Sequence, residues 1–420
     1  MTTPKYSKFG EKFTQQSGIT KLMQDLGRAN QSNNPDVVML GGGNPALIPA
    51  AHRVFVAELA RLIQDQGVDQ MLGYYDGPQG SERFIKALVE MLNKAYGWGL
   101  SNEHIAITNG SQSSLFSLFN LFAGEMPDGT KKQVLLPLVP EYIGYADQGL
   151  SEDMFVSVKP EIKQLEGQQF KYQIDFEQLE SALTQHNIGV MCVSRPTNPS
   201  GNVITDTELE KLRQIAQTHQ VPLIVDNAYG QPFPGVTYTQ TQPHWDENVV
   251  LCLSLSKLGL PGLRTGVVIA KPEIIQALSR INGILALAPG GVGPSLLTRM
   301  IKDNELMPLV KQTIYPFYQD KAQTAMRLFD EIFAGQLAYR HKLEGAFFMW
   351  LWFPELSMSA EELYQALKRQ EVYIIPGQDF FIGMNEDWAH QHQCIRINYA
   401  KDEATLRKGL MAIRQCVFNV

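Results

Sequence analysis

The chain has 420 residues, of which 44% are hydrophobic and 19% charged, a balance typical of a folded globular protein and not of a disordered one. Its length predicts more than one domain. A net charge of −7 without any long basic run excludes nucleic acid and anionic membranes as expected partners. No run of about 18 apolar residues predicts a membrane span, and the N-terminus lacks the apolar core of a signal peptide.

The cysteines and histidines do not predict a metal site. Four cysteines stand among apolar neighbours without the CxxC spacing of metal ligands, at Cys192, Cys252, Cys394 and Cys416. We expect buried, reduced thiols and therefore a cytoplasmic protein. His390 and His392 form an HxH pair in a polar stretch, which favours the surface over a metal site.

Short β-rich runs bounded by turn residues alternate with helical stretches between residues 104 and 270. The predicted strands are 104–108, 133–137, 153–158, 190–194, 221–226, 249–256 and 266–270. This alternation predicts an α/β fold with a mostly parallel seven-stranded sheet between helices. We expect an N-terminal segment at 1–50 that looks extended and packs against the small domain, a large domain at 51–300, and a smaller α+β domain at 301–420.

Polar clusters follow four of the predicted strands. They are TNGSQ, SRPTNPSG, DNAYG and the SK of SLSK. Ligands of open α/β sheets bind outside the carboxyl ends of the strands, so these clusters are expected to form one site.

The segment GGGNPA at 41–46 formally matches a dinucleotide fingerprint. Pro45 and Pro49 interrupt the helix that such a fingerprint must open, so the segment favours a tight glycine turn near a ligand. The NGSQSS segment at 109–114 enters a predicted helix, where exposed N–H groups either bind phosphate or only form a polar capping turn.

Three charged residues stand in apolar surroundings. Asp226 closes a buried strand and is either structural or the partner of a ligand cation. Lys257 follows another buried strand, and partial burial beside a cation lowers the pKa of such an amine and makes it nucleophilic. Arg396, between apolar neighbours, suits either an internal ion pair or a ligand carboxylate.

In combination, these segments resemble the fold type I pyridoxal-phosphate (PLP) enzymes of aminotransferase class I. The motifs NGSQ, RPTNPSG, DNAY, SLSK and IRI stand in the family's order from LGGGNP at 40–45 to IRINYA at 395–400. The stretches PEYIGYAD and DNAYGQPFPG resemble most closely the valine–pyruvate branch.

The resemblance implies roles around the cofactor ring. Lys257 would hold PLP as a Schiff base and act as the catalytic base, and Asp226 would keep the pyridine nitrogen protonated. Tyr229 and Asn198 would hydrogen-bond the ring oxygen, and Tyr142 would stack on the ring.

The resemblance also implies a phosphate site. Ser111, the amide of Gln112, Ser254 and Arg264 would hold the phosphate within one chain. Arg264 follows Lys257 by seven residues, where many relatives have eight, which puts its approach to the phosphate in question. Tyr75 would reach the phosphate of a partner subunit, which implies a homodimer with shared active sites.

For the substrate, the resemblance implies that Arg396, Asn198 and the backbone near Gly43 bind the α-carboxylate. The region that would deliver a second arginine for dicarboxylates resembles 281–297, which contains no charge. An apolar pocket selects small aliphatic side chains. The expected reaction is transamination between valine, or another small aliphatic amino acid, and pyruvate.

Alternatives remain at this point. A PLP-dependent cysteine-conjugate β-lyase, or an aminotransferase of another preference, would share every cofactor residue. A non-catalytic regulator with this fold is disfavoured because no basic DNA-binding module fits. We further expect a cis peptide bond between Asn198 and Pro199, where relatives turn the chain sharply.

Overall fold

The computed structural model describes residues 5–14, 20, 24, 27, 34, 36–65 and 67–419. The helices of these residues are α1 Lys8–Thr14, α2 Pro49–Gln64, α3 Gly67–Gly73, α4 Glu82–Tyr96, α5 Ser111–Phe122, α6 Phe176–Gln185, α7 Asp206–Thr218, α8 Pro272–Ala286, α9 Val292–Lys302, α10 Leu306–Leu309, α11 Tyr315–Ile332, α12 Ala360–Lys368, α13 Ala389–His392 and α14 Glu403–Phe418. The strands are β1 Val38–Met39, β2 Ile105–Thr108, β3 Gly124–Glu125, β4 Lys131–Leu136, β5 Phe155–Ser157, β6 Glu161–Leu165, β7 Gln169–Gln173, β8 Ile188–Ser194, β9 Leu223–Asp226, β10 Val249–Ser254, β11 Gly266–Ile269, β12 Tyr339–His341, β13 Phe348–Trp352, β14 Val372–Tyr373, β15 Ile375–Pro376 and β16 Cys394–Asn398.

The larger sheet has the strand order β2-β11-β10-β9-β8-β4, with β3 and β5 sharing the outer edge of β4. All seven predicted strands belong to it, and the two-residue β3 adds an eighth. Strands β10, β9, β8, β4 and β5 run parallel, whereas β11 runs antiparallel to both of its neighbours. The predicted fold class is therefore confirmed.

The central strands are apolar because the sheet is covered by helices. Every residue of β8, β9 and β10 is buried. Strands buried on both faces read as continuous hydrophobic runs and not as alternating ones. Helix α7 starts at Asp206 because Thr205 and Glu208 form a reciprocal capping box at its N-terminus.

A second sheet has the order β15-β16-β13-β12-β7-β6. Its β6–β7 hairpin comes from within the range predicted for the large domain and extends the sheet through β12. This hairpin was not among the predicted strands. The domain boundaries themselves stay a prediction.

The N-terminal region differs in part from its prediction. It looked extended in sequence, but Lys8–Thr14 is helical, and residues 15–35 lie largely outside the described part of the chain. Strand β1 pairs in parallel with β14, and Asn398 donates its backbone N–H to the carbonyl of Leu40 at 2.6 Å. These bonds place the glycine-rich residues 41–43 beside the second sheet.

The structure also bears on the expected histidine surface and on the membrane. His390 is buried and not on the surface, because its Nε2 hydrogen-bonds the hydroxyl of Tyr172 at 2.6 Å. Within the described ranges, no helix is both long and apolar enough to cross a membrane.

Candidate active site

The carboxyl ends of the central strands open into a cavity of about 350 Å³. It is lined by all but one of the predicted site residues, namely Gly43, Ser111, Gln112, Tyr142, Asn198, Asp226, Tyr229, Ser254, Lys257, Arg264 and Arg396. These residues come from separate segments between positions 43 and 396. The expectation that the polar clusters meet at one edge of the sheet is met.

Lys257 stands at the centre of this cavity. It lies in the short 3₁₀ turn Ser256–Leu258 directly after β10, and its Nζ donates a 2.9 Å hydrogen bond to the carbonyl of Gly43. Burial lowers the pKa of Lys257 to about 8, the Arg396 and Arg264 cations lower it too, and Asp226 opposes the shift. The unprotonated fraction of this amine near neutral pH is therefore much larger than that of an ordinary lysine, although the protonated form still predominates.

Asp226 is the last residue of β9. Its Oδ2 accepts a 2.7 Å hydrogen bond from the hydroxyl of Tyr145, and its Oδ1 accepts one of 3.1 Å from the backbone N–H of Ala228. Burial raises the pKa of Asp226, while both hydrogen bonds and the Lys257 cation act in the opposite direction. A buried carboxylate in this setting gains most from a cationic partner in the cavity.

An anion-binding end of the cavity is formed at the N-terminus of α5. The preceding residue, Gly110, has φ +97°, and a Cβ added there would lie 2.4 Å from Nη2 of Arg264. The guanidinium therefore packs directly against this turn. Ser111, Gln112, Ser254 and Ser256 line the same end, so hydroxyls, helix N–H groups and a guanidinium converge.

Arg264 reaches this end despite its shortened spacing from Lys257. It closes the 3₁₀ turn Pro261–Leu263 in the left-handed conformation, at φ +46°, which turns its side chain back toward the helix. Its Nη1 lies 3.4 Å from the hydroxyl of Ser256.

Arg396 lies on β16 and is 3% exposed. Its Nη1 donates to Oδ1 of Asn198 and its Nη2 to the carbonyl of Gly41, both at 2.7 Å. The guanidinium carbon lies 4.3 Å from the ring centre of Phe348 and 5.3 Å from that of Phe380. No carboxylate of the described residues pairs with it, and its Nε is a buried donor without a partner there.

Two tyrosines form a wall of the cavity. Tyr142 packs edge-to-face on Tyr145 at 5.5 Å, and the ring centre of Tyr229 lies 5.4 Å from the Nζ of Lys257. Burial raises the pKa of both Tyr142 and Tyr229, so both hydroxyls stay protonated donors at neutral pH. Their positions suit a flat ring held next to Lys257.

Tyr75 is the predicted site residue that the structure does not bring into the cavity. It is 81% exposed, in the segment that follows α3. No residue of 281–297 lines the cavity of the single chain either. Both predictions therefore depend on a second copy of the chain.

The predicted cis bond between Asn198 and Pro199 is wrong. The cis bond of this segment lies three residues earlier, at Arg195–Pro196. The turn is closed by bonds of 2.8 Å from the N–H of Thr197 to the carbonyl of Asn202 and from the N–H of Gly201 to that of Thr197. The chain therefore bends before Asn198, whose side chain is held by Arg396.

Several residues of the site were missed in the sequence. Tyr145 stands three residues after Tyr142 in PEYIGY, and Glu141 and Ser194 are buried next to Asp226. Ser256, inside SLSK, lines the cavity. In PEY and SLSK, the missed residues Glu141 and Ser256 stand directly beside the predicted site residues Tyr142 and Lys257. This adjacency is the signal that could have found them.

Comparison with known proteins identifies the class. Residues 35–413 match the family described as aminotransferase class I and II, so the chain belongs to that family. It is a PLP-dependent aminotransferase. It is 47% identical over 410 residues to valine–pyruvate aminotransferase of Escherichia coli (strain K12), covering 98% of this chain and 97% of that one.

Two solved structures are similar over nearly the full length. A putative amino-acid aminotransferase from Psychrobacter arcticum 273-4 has a TM-score of 0.96 at 43% identity, covering 99% of both chains. Valine-pyruvate aminotransferase from Salmonella typhimurium LT2 has a TM-score of 0.87 at 45% identity, covering 95% of this chain and 98% of that one.

Proposed function

We propose that this chain catalyses transamination between valine, or another small aliphatic amino acid, and pyruvate, giving alanine and 2-oxoisovalerate. The observation that carries the proposal is one cavity lined by the Lys257 amine, the Asp226 carboxyl and the Arg396 guanidinium, in which the charges of Asp226 and Arg396 both act on the amine. The near full-length similarity to a valine–pyruvate aminotransferase supports the choice of substrates.

The residues of the cavity fit PLP. Arg264 and the helix N-terminus at Ser111 suit a phosphate dianion, and the turn at Gly110 has no room for a side chain beside that guanidinium. Asp226 offers a buried carboxylate to a ring nitrogen, and Lys257 offers an amine to an aldehyde. When bound, the cofactor supplies an electron sink for the bonds at the substrate's α-carbon.

In this proposal each residue of the chain has one role. Lys257 binds the cofactor and moves the proton, Asp226 keeps the ring nitrogen protonated, and Tyr229 and Asn198 donate to the ring oxygen. Tyr142 covers the ring face. The phosphate is held by Ser111, the amide of Gln112, Ser254 and Arg264, and from the partner by Tyr75.

Arg396 is proposed to bind the substrate α-carboxylate, with Asn198 and the backbone at Gly43. The guanidinium is buried and faces no carboxylate of the described residues, and burial lowers the pKa of Arg396 to about 10. Phe348 and Phe380 cover its faces, so an approaching carboxylate meets the edge of the fork.

The segment 281–297 is proposed to form the side-chain pocket from the neighbouring subunit. Exposed apolar side chains support such an interface, and among the described residues they include Leu72, Tyr74, Tyr75, Ile284 and Leu287. The chain just after the first stretch contacts the chain just before the second, because Nδ2 of Asn282 donates to the carbonyl of Pro78 at 3.1 Å. A large exposed apolar surface marks an association site.

Hybrid dimers test the shared site. If Tyr75 serves the partner, a dimer of one Tyr75→Ala chain and one Lys257→Ala chain has one intact site and one doubly defective site. At limiting PLP, such hybrids should show about half of the wild-type activity per dimer. Activity that stays at the level of the Tyr75→Ala dimer, or a monomer with full activity in sedimentation, would refute the proposal.

A cytoplasmic location is proposed from the thiols. All four cysteines are unpaired, and Cys192, Cys252 and Cys394 are buried. Free thiols are typical of reducing compartments.

The absorbance of the PLP-loaded protein tests the proposed function. Addition of L-valine alone should convert the bound cofactor to its amino form, and pyruvate should restore the first spectrum with stoichiometric alanine. Lys257→Arg, which keeps the charge but has no nucleophilic amine, should show neither change. Release of pyruvate and ammonia from cystathionine without an acceptor would instead reveal a β-lyase.

A further inference from the structure

Glu141 is a fully buried acid in the loop between β4 and Tyr142. Its Oε1 accepts a 2.7 Å hydrogen bond from the backbone N–H of Ser194, and its Oε2 lies in close contact with the Ser194 hydroxyl. Its own N–H donates to the carbonyl of Phe380 at 2.8 Å. One residue therefore joins the loop after β4, the end of β8 and the 3₁₀ turn Gln378–Phe380 of the C-terminal region.

Each of the joined segments carries part of the site. Ser194 pairs in register with Asp226 on the neighbouring strand, and the chain after Ser194 leads to Asn198. Phe380 covers the Arg396 guanidinium at 5.3 Å. A displacement of Glu141 would therefore shift the end of β8, beside Asp226, and the turn at Phe380, beside Arg396, at the same time.

The surroundings of Glu141 favour the uncharged acid. The ionisable groups whose charge acts on it or responds to it are Asp226, the Tyr145 phenol and the Cys192 thiol, none of them a cation. Its remaining contacts are the Ser194 hydroxyl and the backbone N–H groups of Ser194 and Tyr142. Burial, together with the Asp226 charge, raises the pKa of Glu141 to about 8, against the hydrogen bonds from Ser194. A buried carboxyl without a cation is more stable protonated, particularly beside a second carboxylate.

A neutral Glu141 has a geometric consequence. Its proton occupies the close contact between Oε2 and the Ser194 oxygen, so Glu141 is the donor there and the Ser194 O–H turns elsewhere. Ser194 also lines the cavity. Of the two neighbouring carboxyl groups, Asp226 is then ionised and Glu141 is not.

We propose that Glu141 is a positioning residue of the active site, held as the neutral acid, that ties the Asp226 side of the cavity to the Arg396 side. The proposal rests on the proposed transamination for its kinetic readout only. Cofactor binding, measured without any amino acid, tests it independently of the substrate assignment.

Two substitutions separate charge from contact. Glu141→Gln resembles the neutral acid, because its amide oxygen accepts from the Ser194 N–H and its NH₂ donates to the Ser194 hydroxyl. Glu141→Ala removes both contacts. Glu344→Gln is the matched control, because Glu344 is a buried acid that pairs with Lys171 outside the cavity and whose pKa is lowered overall, chiefly by the Lys171 cation acting against burial.

At pH 7, Glu141→Gln should keep the PLP Kd and the KM for valine within about threefold of wild type. Glu141→Ala should raise both by at least about tenfold, as expected for the loss of buried hydrogen bonds. The proposal is overturned if Glu141→Ala leaves PLP Kd and KM unchanged, or if Glu141→Gln loses as much as Glu141→Ala.

The pH dependence gives a readout that a merely structural role would not move. A carboxyl whose folded pKa is raised from 4.5 to about 8 binds its proton more strongly in the folded chain, so it lowers the stability of that chain progressively as pH rises from 4.5 to about 8, and by a constant amount above. Wild type should therefore lose Tm relative to Glu141→Gln between about pH 5 and 8, and should lose PLP affinity between about pH 7 and 9, where Glu141 ionises in the folded chain. Glu344→Gln should follow wild type in its PLP affinity. Parallel profiles of wild type and Glu141→Gln would overturn the neutral acid. If Glu141→Ala does not fold, Ser194→Ala takes its place, because it removes the side-chain contact and keeps the backbone one. It should raise the PLP Kd by less than the rise of about tenfold expected for Glu141→Ala. An unchanged Kd would count against the proposal.

Discussion

The hydroxyl of Tyr145 donates a 2.7 Å hydrogen bond to Oδ2 of Asp226 inside the sheet's active-site edge. Both groups are buried, and Asp226 has its other hydrogen bond from the backbone of Ala228. Burial raises the pKa of Asp226, whereas this bond stabilises the ionised carboxylate and lowers that pKa. Tyr145 thus supports the charge that the proposed function assigns to Asp226.

Tyr145→Phe should lower kcat/KM for valine by about one to two decades, because a hydrogen bond to a charged group contributes about 1.5–3 kcal/mol. Packing should survive, since the ring still contacts Phe119. Steady-state kinetics and the PLP Kd are the measurements, with Tyr172→Phe as a control in which a buried tyrosine outside the cavity loses its hydroxyl. Unchanged kinetics in Tyr145→Phe would show that Asp226 does not depend on this donor.

Lys257→Met should stabilise the cofactor-free protein. A lysine whose pKa falls from 10.5 to about 8 on folding binds its proton more weakly in the folded chain. It therefore lowers stability most below pH 8, and this effect disappears as pH rises to 10.5. At about 1.4 kcal/mol per pH unit, the gain at pH 7 should be at most about 3 kcal/mol.

Urea unfolding of both proteins at several pH values measures this gain. Lys171→Met is the contrasting variant, because it removes the buried partner of the Glu344 carboxylate, leaves only the exposed Lys342 beside it, and should destabilise the chain. A gain in Lys257→Met that does not shrink toward high pH would contradict the lowered pKa.

Gly110→Ala should weaken PLP binding more than it weakens the fold. The new methyl group would collide with the Arg264 guanidinium, which must move away from the helix N-terminus. Gly97→Ala provides the matched control, because Gly97 also has a positive φ, of 68°, but has nothing within 4 Å of an added Cβ.

Both alanines carry backbone strain of about 1 kcal/mol or more. Only Gly110→Ala should raise the PLP Kd, by about tenfold or more, given the value of a charge-assisted hydrogen bond. Equal PLP Kd values in the two variants would remove Arg264 from the phosphate site.

Arg396→Lys should reduce kcat/KM for every amino donor alike. Lysine keeps the charge but loses the planar two-point contact and the bonds to Asn198 and Gly41. The expected loss is about one to two decades. PLP affinity should survive, and a variant that loses PLP, or loses valine but not alanine as a donor, would defeat the assignment of Arg396 to the α-carboxylate.

The seven strands of the large sheet and the cluster at its edge could be predicted because each buried strand is a short apolar run followed by polar residues. The run before Asp226 and the run before Lys257 show this directly. Parallel strands align their carboxyl ends, so local patterns were enough to bring distant residues together.

Other features depend on contacts that no local pattern carries. The β6–β7 hairpin joins the second sheet by pairing with β12, about 170 residues later in the chain. Glu141 followed a proline and preceded an aromatic residue, and only the folded chain shows that it meets Ser194. The bend at 195–201 was placed one proline too late, because both Pro196 and Pro199 permit it.

The donor preference of the PLP-loaded enzyme with pyruvate as acceptor tests the central claim most directly. Alanine and 2-oxoisovalerate should form from valine and pyruvate in equal amounts. The kcat/KM for valine should exceed that for aspartate by at least about 100-fold, because an uncharged pocket leaves the second carboxylate buried without a partner. Aspartate as the best donor, or no alanine from valine and pyruvate, would contradict the account.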